Sequence, residues 1–508
     1  MADINPLAKK LLIAKASRKL NGNKEDLAEI IHTAKGYAKN IESAFRFMDS
    51  MEESLKKNTP WAGILLRAGK SLSKNAKKKL LENLIFNWAI EGQKIRRKIM
   101  ESGKFCPSFG VISPWMKCNL NCTGCYSGMY LKQGELSEAD LENILDQFRE
   151  NGMYFAVISG GEPYIKRDLL LRIFKKYNDM YFLTFTNGTF LDEATCKELA
   201  KLGNVTPAIS VEGWKAETDA RRGEGMWEKI HQSMANLRKA GVLFGTSLTA
   251  TRHNVDVITD EAFVEHFMNE GALYSWYFMF MPVGKDPILD LVPTPEQRVL
   301  NGKRVAALRD RYPMFLADFW NDGPAVGGCL AGGRQYFHIL NDGRVEACVF
   351  AHFGVDNIHD KPIIDIVNSD FFRDIRAQFP YNESANLRRP CMIIDNPEVL
   401  RNVVRKYVLP ESHKHSEDIV NDPKVIAFVD DYAKRLYELQ EPVWQKEISD
   451  PNNYWYKEGA PYKALFEART AGLLIESVGQ KQTPPQQTPS PKETQEEKKP
   501  EKEKVTVS

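Results

Sequence analysis

From Phe109 onward, short apolar runs alternate with amphipathic stretches in a regular rhythm. The runs Phe109–Trp115, Tyr154–Ser159, Tyr181–Thr186, Val205–Val211, Leu243–Ala250 and Trp276–Met281 have the length and near-continuous hydrophobicity of strands buried on both faces. Between them, Ser137–Asn151, Asp168–Asn178, Asp192–Leu202, Met226–Ala240 and Thr259–Asn269 carry helical periodicity, and Ser137 with Asp140 makes a capping box at the start of the first. Six repeats of strand then helix predict an α/β fold with a parallel sheet and outer helices. Six units fall short of the eight in a closed barrel. The expectation is therefore a partial (β/α)6 TIM-like barrel with its chemistry at the C-terminal ends of the strands.

The flanks follow other patterns. Residues 1–105 read as helical, with an apolar stripe at Leu81, Leu84, Ile85, Trp88, Ile95 and Ile99 flanked by Lys77–Lys79 and Arg96–Lys98. The barrel core is assigned to 106–315. A Gly- and Cys-bearing α+β extension follows as a separate, smaller unit over 316–400, then a helical region over 401–477 with Val425–Leu439 clearest. Residues 478–508 hold no aromatic, Leu or Ile and are expected to be a disordered tail.

Charge changes the picture in one place. The whole chain is near neutral at +2, but residues 1–105 carry 22 Lys/Arg against 11 Asp/Glu. Such asymmetry fits either a solvated helical face or a basic surface toward an anionic partner, and a basic Trp-bearing amphipathic helix can lie against a membrane from the inside. No aromatic-interleaved basic motif points to nucleic acid. The first 20 residues lack the apolar core of a signal peptide, and no apolar stretch is long enough to span a bilayer. A cytoplasmic protein is expected, whose eight cysteines serve as metal ligands or buried thiols rather than disulfides.

Three of those cysteines, Cys118, Cys122 and Cys125, fall on one loop after the first strand, at C-x3-C-x2-C spacing. Three thiolates can bind three irons of a [4Fe–4S] cube and leave the fourth open to a ligand. A structural zinc site would want a fourth Cys or His close by, and none follows. Ser159-Gly160-Gly161-Glu162-Pro163 ends the second strand, where paired glycines allow backbone geometry open to a ligand.

In these motifs the chain resembles the radical S-adenosylmethionine (SAM) superfamily over roughly Phe109–Pro282. The resemblance implies that SAM chelates the open iron and is cleaved reductively to methionine and a 5′-deoxyadenosyl radical, which removes hydrogen from an unactivated C–H bond. It gives Gly160, Gly161 and Glu162 the contact with the SAM amino group. It implies softer SAM contacts for Asn187, in Thr186-Asn187-Gly188, and for Ser210 and Glu212, in Ser210-Val211-Glu212-Gly213; ordinary turn chemistry accounts for these equally well. One departure stands out: the family's aromatic residue before the third cysteine, which packs on adenine, is Gly124 here, and the aromatic Tyr126 follows instead. No catalytic acid or base is named by the sequence.

Cys329 and Cys348 flank Gly343, and Cys391 follows about forty residues later. Gln335–Leu340 and Val345–Cys348, joined through Asp342-Gly343, read as a hairpin. This segment resembles the SPASM or twitch extension of radical SAM enzymes. With three cysteines it matches the shorter twitch form, implying a second, auxiliary [4Fe–4S] cluster held by Cys329, Cys348 and Cys391. Cys106 or Cys196 are candidates for its fourth ligand, although Cys196 also reads as a buried small hydrophobe. His352 is either a neighbour of that cluster or a surface or core histidine.

For the substrate, the basic helical N-terminus, the cysteine loop and Arg389–Asp395 are similar to radical SAM enzymes that couple lipid tails into membrane-spanning lipids. That resemblance implies a hydrophobic lipid substrate, peripheral membrane contact through the N-terminal helices, and a ferredoxin- or flavodoxin-like electron donor. The alternative is a peptide or protein maturase of the SPASM/twitch type. A purely electron-carrying role fits poorly with a SAM motif.

Overall fold

The computed structural model describes residues 6–38, 42–130, 134–285, 288–409 and 412–450. The tail expected over 478–508 and the end of the C-terminal helical region lie outside the described residues.

All six expected strands form, as β1 (Gly110–Ile112), β2 (Phe155–Ile158), β3 (Tyr181–Thr186), β4 (Val205–Val211), β5 (Gly245–Ala250) and β6 (Tyr274–Met279). They pair in parallel in chain order, with the expected helices between them. The capping box is present at helix Glu138–Glu150, where Ser137 Oγ accepts from the Asp140 amide and Asp140 accepts from the Ser137 amide. The structure adds what the pattern missed. Helix Pro295–Arg309, itself opened by a capping box of Thr294 and Gln297, leads into a seventh parallel strand, β7 (Phe315–Asp318).

On the other edge, β8 (His338–Ile339) pairs with β1 in parallel and turns back into β9 (Arg344–Glu346), which pairs with β10 (Asp356–Asn357). The sheet thus runs β10-β9-β8-β1-β2-β3-β4-β5-β6-β7 and is open at both ends. The segment 316–400, expected as a separate unit, contributes its hairpin to the barrel's own sheet. Buried polar groups fasten it there: Ser113 Oγ lies 2.7 Å from His338 Nε2, and His338 Nδ1 lies 3.1 Å from Glu346, which also accepts from Tyr130 Oη at 3.0 Å.

The outer helices bury apolar faces on the sheet. Phe148, Ile173, Leu199, Ile230 and Phe263 are fully covered, each burial worth about 1.5–3 kcal/mol. The N-terminal helices pack against the barrel's lower end. Asn83 donates to the Met180 carbonyl below β3 (2.7 Å), Trp88 Nε1 to that of Ser108 below β1 (2.8 Å), and Arg67 to those of Ala272 and Pro313 below β6 and β7 (3.1 and 2.7 Å). The apolar stripe, open to either a membrane or its own domain, packs on the protein itself: the Trp88 ring packs on Phe155, and Leu81 and Ile85 pack against the cluster of Leu27, Ile31 and Met51. Arg96, one of the flanking basic residues, is buried and donates to the Gly152 carbonyl. Among the described residues no helix is long and apolar enough to cross a membrane.

Candidate active site

The chain leaving β1 crosses the C-terminal end of the sheet and brings Cys118, Cys122 and Cys125 to the rim of a cavity of about 250 Å³. The loop is pinned from several sides: Thr123 N donates to Arg221 O (3.1 Å), and Cys125 O accepts from Gly128 N (3.1 Å) and Lys285 N (3.2 Å). Burial raises the thiols of Cys118 and Cys122 above their ordinary value, while the Arg222 guanidinium pulls Cys122 back down. Iron coordination would deprotonate such thiols outright. No three His, Cys, Asp or Glu side chains among the described residues close on a single-ion geometry. Thiolates that each take a different corner of a cube stand further apart than that. Three half-buried thiols on one loop facing one cavity therefore fit an iron–sulfur cube.

Gly160 and Gly161 lie opposite, at the end of β2, and both are required by close approach. Gly160 has φ of 114° and an added Cβ would strike the Trp115 carbonyl; one on Gly161 would sit 2.6 Å from the carbonyl carbon of Lys117. The amides of Gly161 and Glu162 are spent on Trp115 O and Lys117 O, each at 3.0 Å. Carbonyl oxygens are what this turn can offer a ligand, which suits an ammonium group.

Glu162 also lines the cavity at this turn, and its carboxylate is braced by protein donors. It accepts from Tyr164 N (3.0 Å), Thr186 Oγ1 (2.8 Å) and Asn187 N (2.8 Å), and burial pushes it up to about 7. Its side chain thereby ties the end of β2 to the end of β3 at the cavity wall. Asn187 and Ser210 line the cavity as expected. Asn187 Nδ2 donates to Asn119 Oδ1 at 2.9 Å, beside Cys118. Glu212 is fully buried and ion-paired with Arg221 and Arg222. It is the two arginines, which the sequence did not single out as site residues, that reach the cavity wall.

The aromatic residue missing before Cys125 is supplied from elsewhere. Gly124 has φ of 63°, and the space its Cβ would need is filled by the Phe280 ring, whose Cζ would lie 2.8 Å away. Phe280 follows β6, lines the cavity, and carries the Arg221 guanidinium 5.8 Å above its ring. Tyr126 turns inward, its hydroxyl 2.9 Å from Ser159 Oγ and its ring edge-on to Phe350.

Beneath the cysteines the cavity continues into the barrel lumen. Phe155, Phe185, Trp276, Phe278 and Phe319 line it, together with Val157 and Leu183 from the inward faces of β2 and β3. The alternation of a strand sends every second side chain into this space.

The second cysteine set adjoins the same cavity. Cys329, Cys348 and Cys391 come together in an apolar pocket where burial, with the neighbouring thiols adding to it, pushes each thiol up to about 12. Cys391 is held by its amide on Asp395 Oδ2 (2.9 Å), and Asp395 is in turn paired with the buried Arg298. Tyr336 Oη lies 3.2 Å from Cys348 Sγ, and Val349 and Phe350, just beyond Cys348, line the lumen. These residues also fit a cluster. The other cysteines do not join it: Cys106 donates to Asn151 O under the N-terminal helices, and Cys196 donates to Leu191 O within the barrel's core. His352 is a core histidine, 2.7 Å from His413 and packed on Tyr130.

Two family models match the segments that carry the two cysteine sets. The Radical SAM superfamily model matches residues 112–267, and the SPASM model, an iron–sulfur cluster-binding domain, matches residues 329–393. An AdoMet-dependent heme synthase of Oleidesulfovibrio alaskensis is 27% identical over 298 residues, covering 52% of this chain and 76% of the relative. The mycofactocin maturase MftC of Mycolicibacterium smegmatis is 29% identical over 271 residues, covering 50% of this chain and 65% of the relative. The crystal structure of Streptococcus suis SuiB bound to precursor peptide SuiA aligns with a TM-score of 0.46 at 17% identity, over 55% of this chain and 68% of SuiB.

Proposed function

We propose that this chain, a radical SAM enzyme with a SPASM iron–sulfur domain, abstracts hydrogen from an unactivated C–H bond on an apolar group held in its barrel lumen, and that the group belongs to a peptide or protein. The observation that carries the reading is the aromatic lumen directly below the cysteine loop. A charged or strongly polar substrate would lose its hydration there without recompense. The peptide is supported by the likeness to a maturase.

The cluster at Cys118, Cys122 and Cys125 supplies the reductive cleavage of SAM, with its electron from a ferredoxin- or flavodoxin-like donor. The protein's own residues do the placing. Carbonyls of the Gly160-Gly161 turn would receive the SAM ammonium, and Arg221 and Arg222, fixed by Glu212, would offer their charge to its carboxylate. Phe280, which lines the cavity beside Gly124, would pack on the adenine in place of the family's usual aromatic residue, while Asn187 and Ser210 would border the ribose. Glu162 keeps the ends of β2 and β3 in register so that these groups converge. Cys329, Cys348 and Cys391 would hold the auxiliary cluster beside the lumen, and that cluster would supply one-electron redox chemistry there.

A second reading, coupling of lipid acyl chains into membrane-spanning lipids, is favoured by one feature. The regular elements in the described part of residues 1–105 are all helices, without the strands of a small peptide-binding domain. The origin of the abstracted hydrogen separates the two. The enzyme is expressed in a host fed perdeuterated fatty acid, together with precursor peptides encoded beside its gene, and the 5′-deoxyadenosine is weighed. Unlabelled 5′-deoxyadenosine with a peptide two hydrogens lighter supports the first reading; deuterated 5′-deoxyadenosine overturns it in favour of the lipid.

A further inference from the structure

Three thiols leave one corner of the auxiliary cube without a cysteine, and no other cysteine is at hand. A different side chain lies between the segments that bear these thiols. Past helix Asp370–Ala377 the chain reaches Tyr381 with φ of 72°. Positive φ is a genuine outlier for a bulky aromatic residue and marks a conformation the surroundings impose. Here Tyr381 N donates to Gln378 O at 2.7 Å, and Asn382 Oδ1 accepts from Asn386 N at 2.7 Å, fastening the turn that leads on to Cys391.

The strained backbone turns the phenol inward. Tyr381 is 7% exposed, edge-on to Phe379, and its hydroxyl reaches Gly332, where an added Cβ would lie 3.3 Å from it. Gly332 is three residues beyond Cys329, and its amide donates to Ala347, the residue before Cys348. The hydroxyl therefore stands where the segments bearing two of the thiols meet. Unlike Tyr336, which has Cys348 Sγ for a partner, the buried Tyr381 hydroxyl has no hydrogen-bond partner among the described residues. A buried phenol without a partner calls for one.

We propose that Tyr381 is the fourth protein ligand of the auxiliary cluster: its O–H gives up a proton, as each thiol does, and the oxygen binds the iron no cysteine reaches. This rests on Cys329, Cys348 and Cys391 holding a [4Fe–4S] cluster. The auxiliary cluster is then closed by the protein on all four corners. It exchanges electrons and does not bind the substrate through iron.

The test uses the full chain with Cys118, Cys122 and Cys125 changed to Ala, reconstituted anaerobically with ⁵⁷Fe, so that the auxiliary cluster alone is observed. The expected Mössbauer spectrum contains one oxygen-ligated iron site in four. Y381F loses that site, and mild ferricyanide treatment converts its cluster to a three-iron form at least several-fold faster, read by EPR. Y336F, which removes the hydroxyl on Cys348, keeps the oxygen-ligated site. Should Y381F fail to fold, electron–nuclear double resonance on the unsubstituted tyrosine, ring-deuterated, reads the phenolate directly. Superimposable Y381F and parent spectra, or no deuterium coupling, overturn the assignment while leaving the cluster in place. A parent that takes up no iron overturns the auxiliary cluster itself, and Tyr381 with it.

Discussion

Tyr336 touches the second thiol site with its hydroxyl, 3.2 Å from Cys348 Sγ, and lines the substrate lumen with its ring. One side chain therefore borders both the cavity where a substrate radical would arise and the group that would accept its electron. Hydrogen bonds to cluster sulfurs stabilise the reduced state. The Y336F variant should lower the auxiliary potential by about 20–60 mV, equivalent to one ordinary hydrogen bond in a one-electron couple. An EPR-monitored redox titration measures it; an unchanged midpoint would separate Tyr336 from the cluster's energetics.

The two thiol sets should load independently. Alanine at Cys118, Cys122 or Cys125 is expected to reduce iron from about eight to about four per chain and to abolish 5′-deoxyadenosine formation. Alanine at Cys329, Cys348 or Cys391 should remove a similar amount of iron while SAM cleavage persists. Cys106→Ala and Cys196→Ala, being core thiols, should leave the iron content untouched. Iron and sulfide analysis decides each case, and loss of iron in C106A or C196A would mean the fold has been misassigned around those residues.

Gly161→Ala should uncouple SAM binding from folding only partially, because the added Cβ would press on backbone, 2.6 Å from both Lys117 C and Met116 O. The cysteine loop must shift to accept it, at a cost of about 1–3 kcal/mol. SAM affinity should fall at least about tenfold, or 1.4 kcal/mol. Gly36→Ala, in helix Lys24–Ala38 with nothing within 4 Å of the new atom, serves as the control and should be neutral or slightly stabilising. Calorimetric titration with SAM on both variants distinguishes the site effect from a general intolerance of substitution.

Glu162 predicts a pH dependence. Burial raises its carboxyl from 4.5 to about 7, so the folded protein holds this proton more tightly than the unfolded chain does. Its contribution to stability is complete below about pH 4.5 and is lost as pH rises to about 7, a change on the order of 3 kcal/mol. Denaturant unfolding of the metal-free protein across this range should give a falling curve for the wild type and a flatter one for Glu162→Gln. Parallel curves would show that another group governs the titration.

The strands of the barrel were legible because each is an apolar run with a distinct break on either side. β7 was not, since Phe315–Asp318 is four residues long and ends in an acid. The pairing of β8 with β1 was invisible for a different reason: a parallel partner is chosen by tertiary packing, and nothing local in His338–Ile339 declares it. The cysteine ligand candidates stood out by spacing alone, whereas the direction of a carboxylate did not. Glu162 and Glu212 both sit at strand ends, as expected of site residues, yet amides and arginines claim their oxygens. Phe280 falls within the last expected strand, Trp276–Met281, but that it fills the space Gly124 leaves open was not legible, because the two residues are far apart in sequence.

The parallel pairing of β1 with β8 has a further consequence, for the order in which the protein matures. Val111 finds its partner His338 only after the intervening chain has been made, and that chain includes every other strand of the barrel. Contacts so distant in sequence are slow to form, and a growing chain cannot make them early. β1 carries the loop of Cys118, Cys122 and Cys125, so that loop lacks its final support until the hairpin bearing Cys348 has emerged and docked. Iron loading at both sites should accordingly be a late event, and chains cut short before the hairpin should leave their first three thiols exposed to oxidation rather than filled.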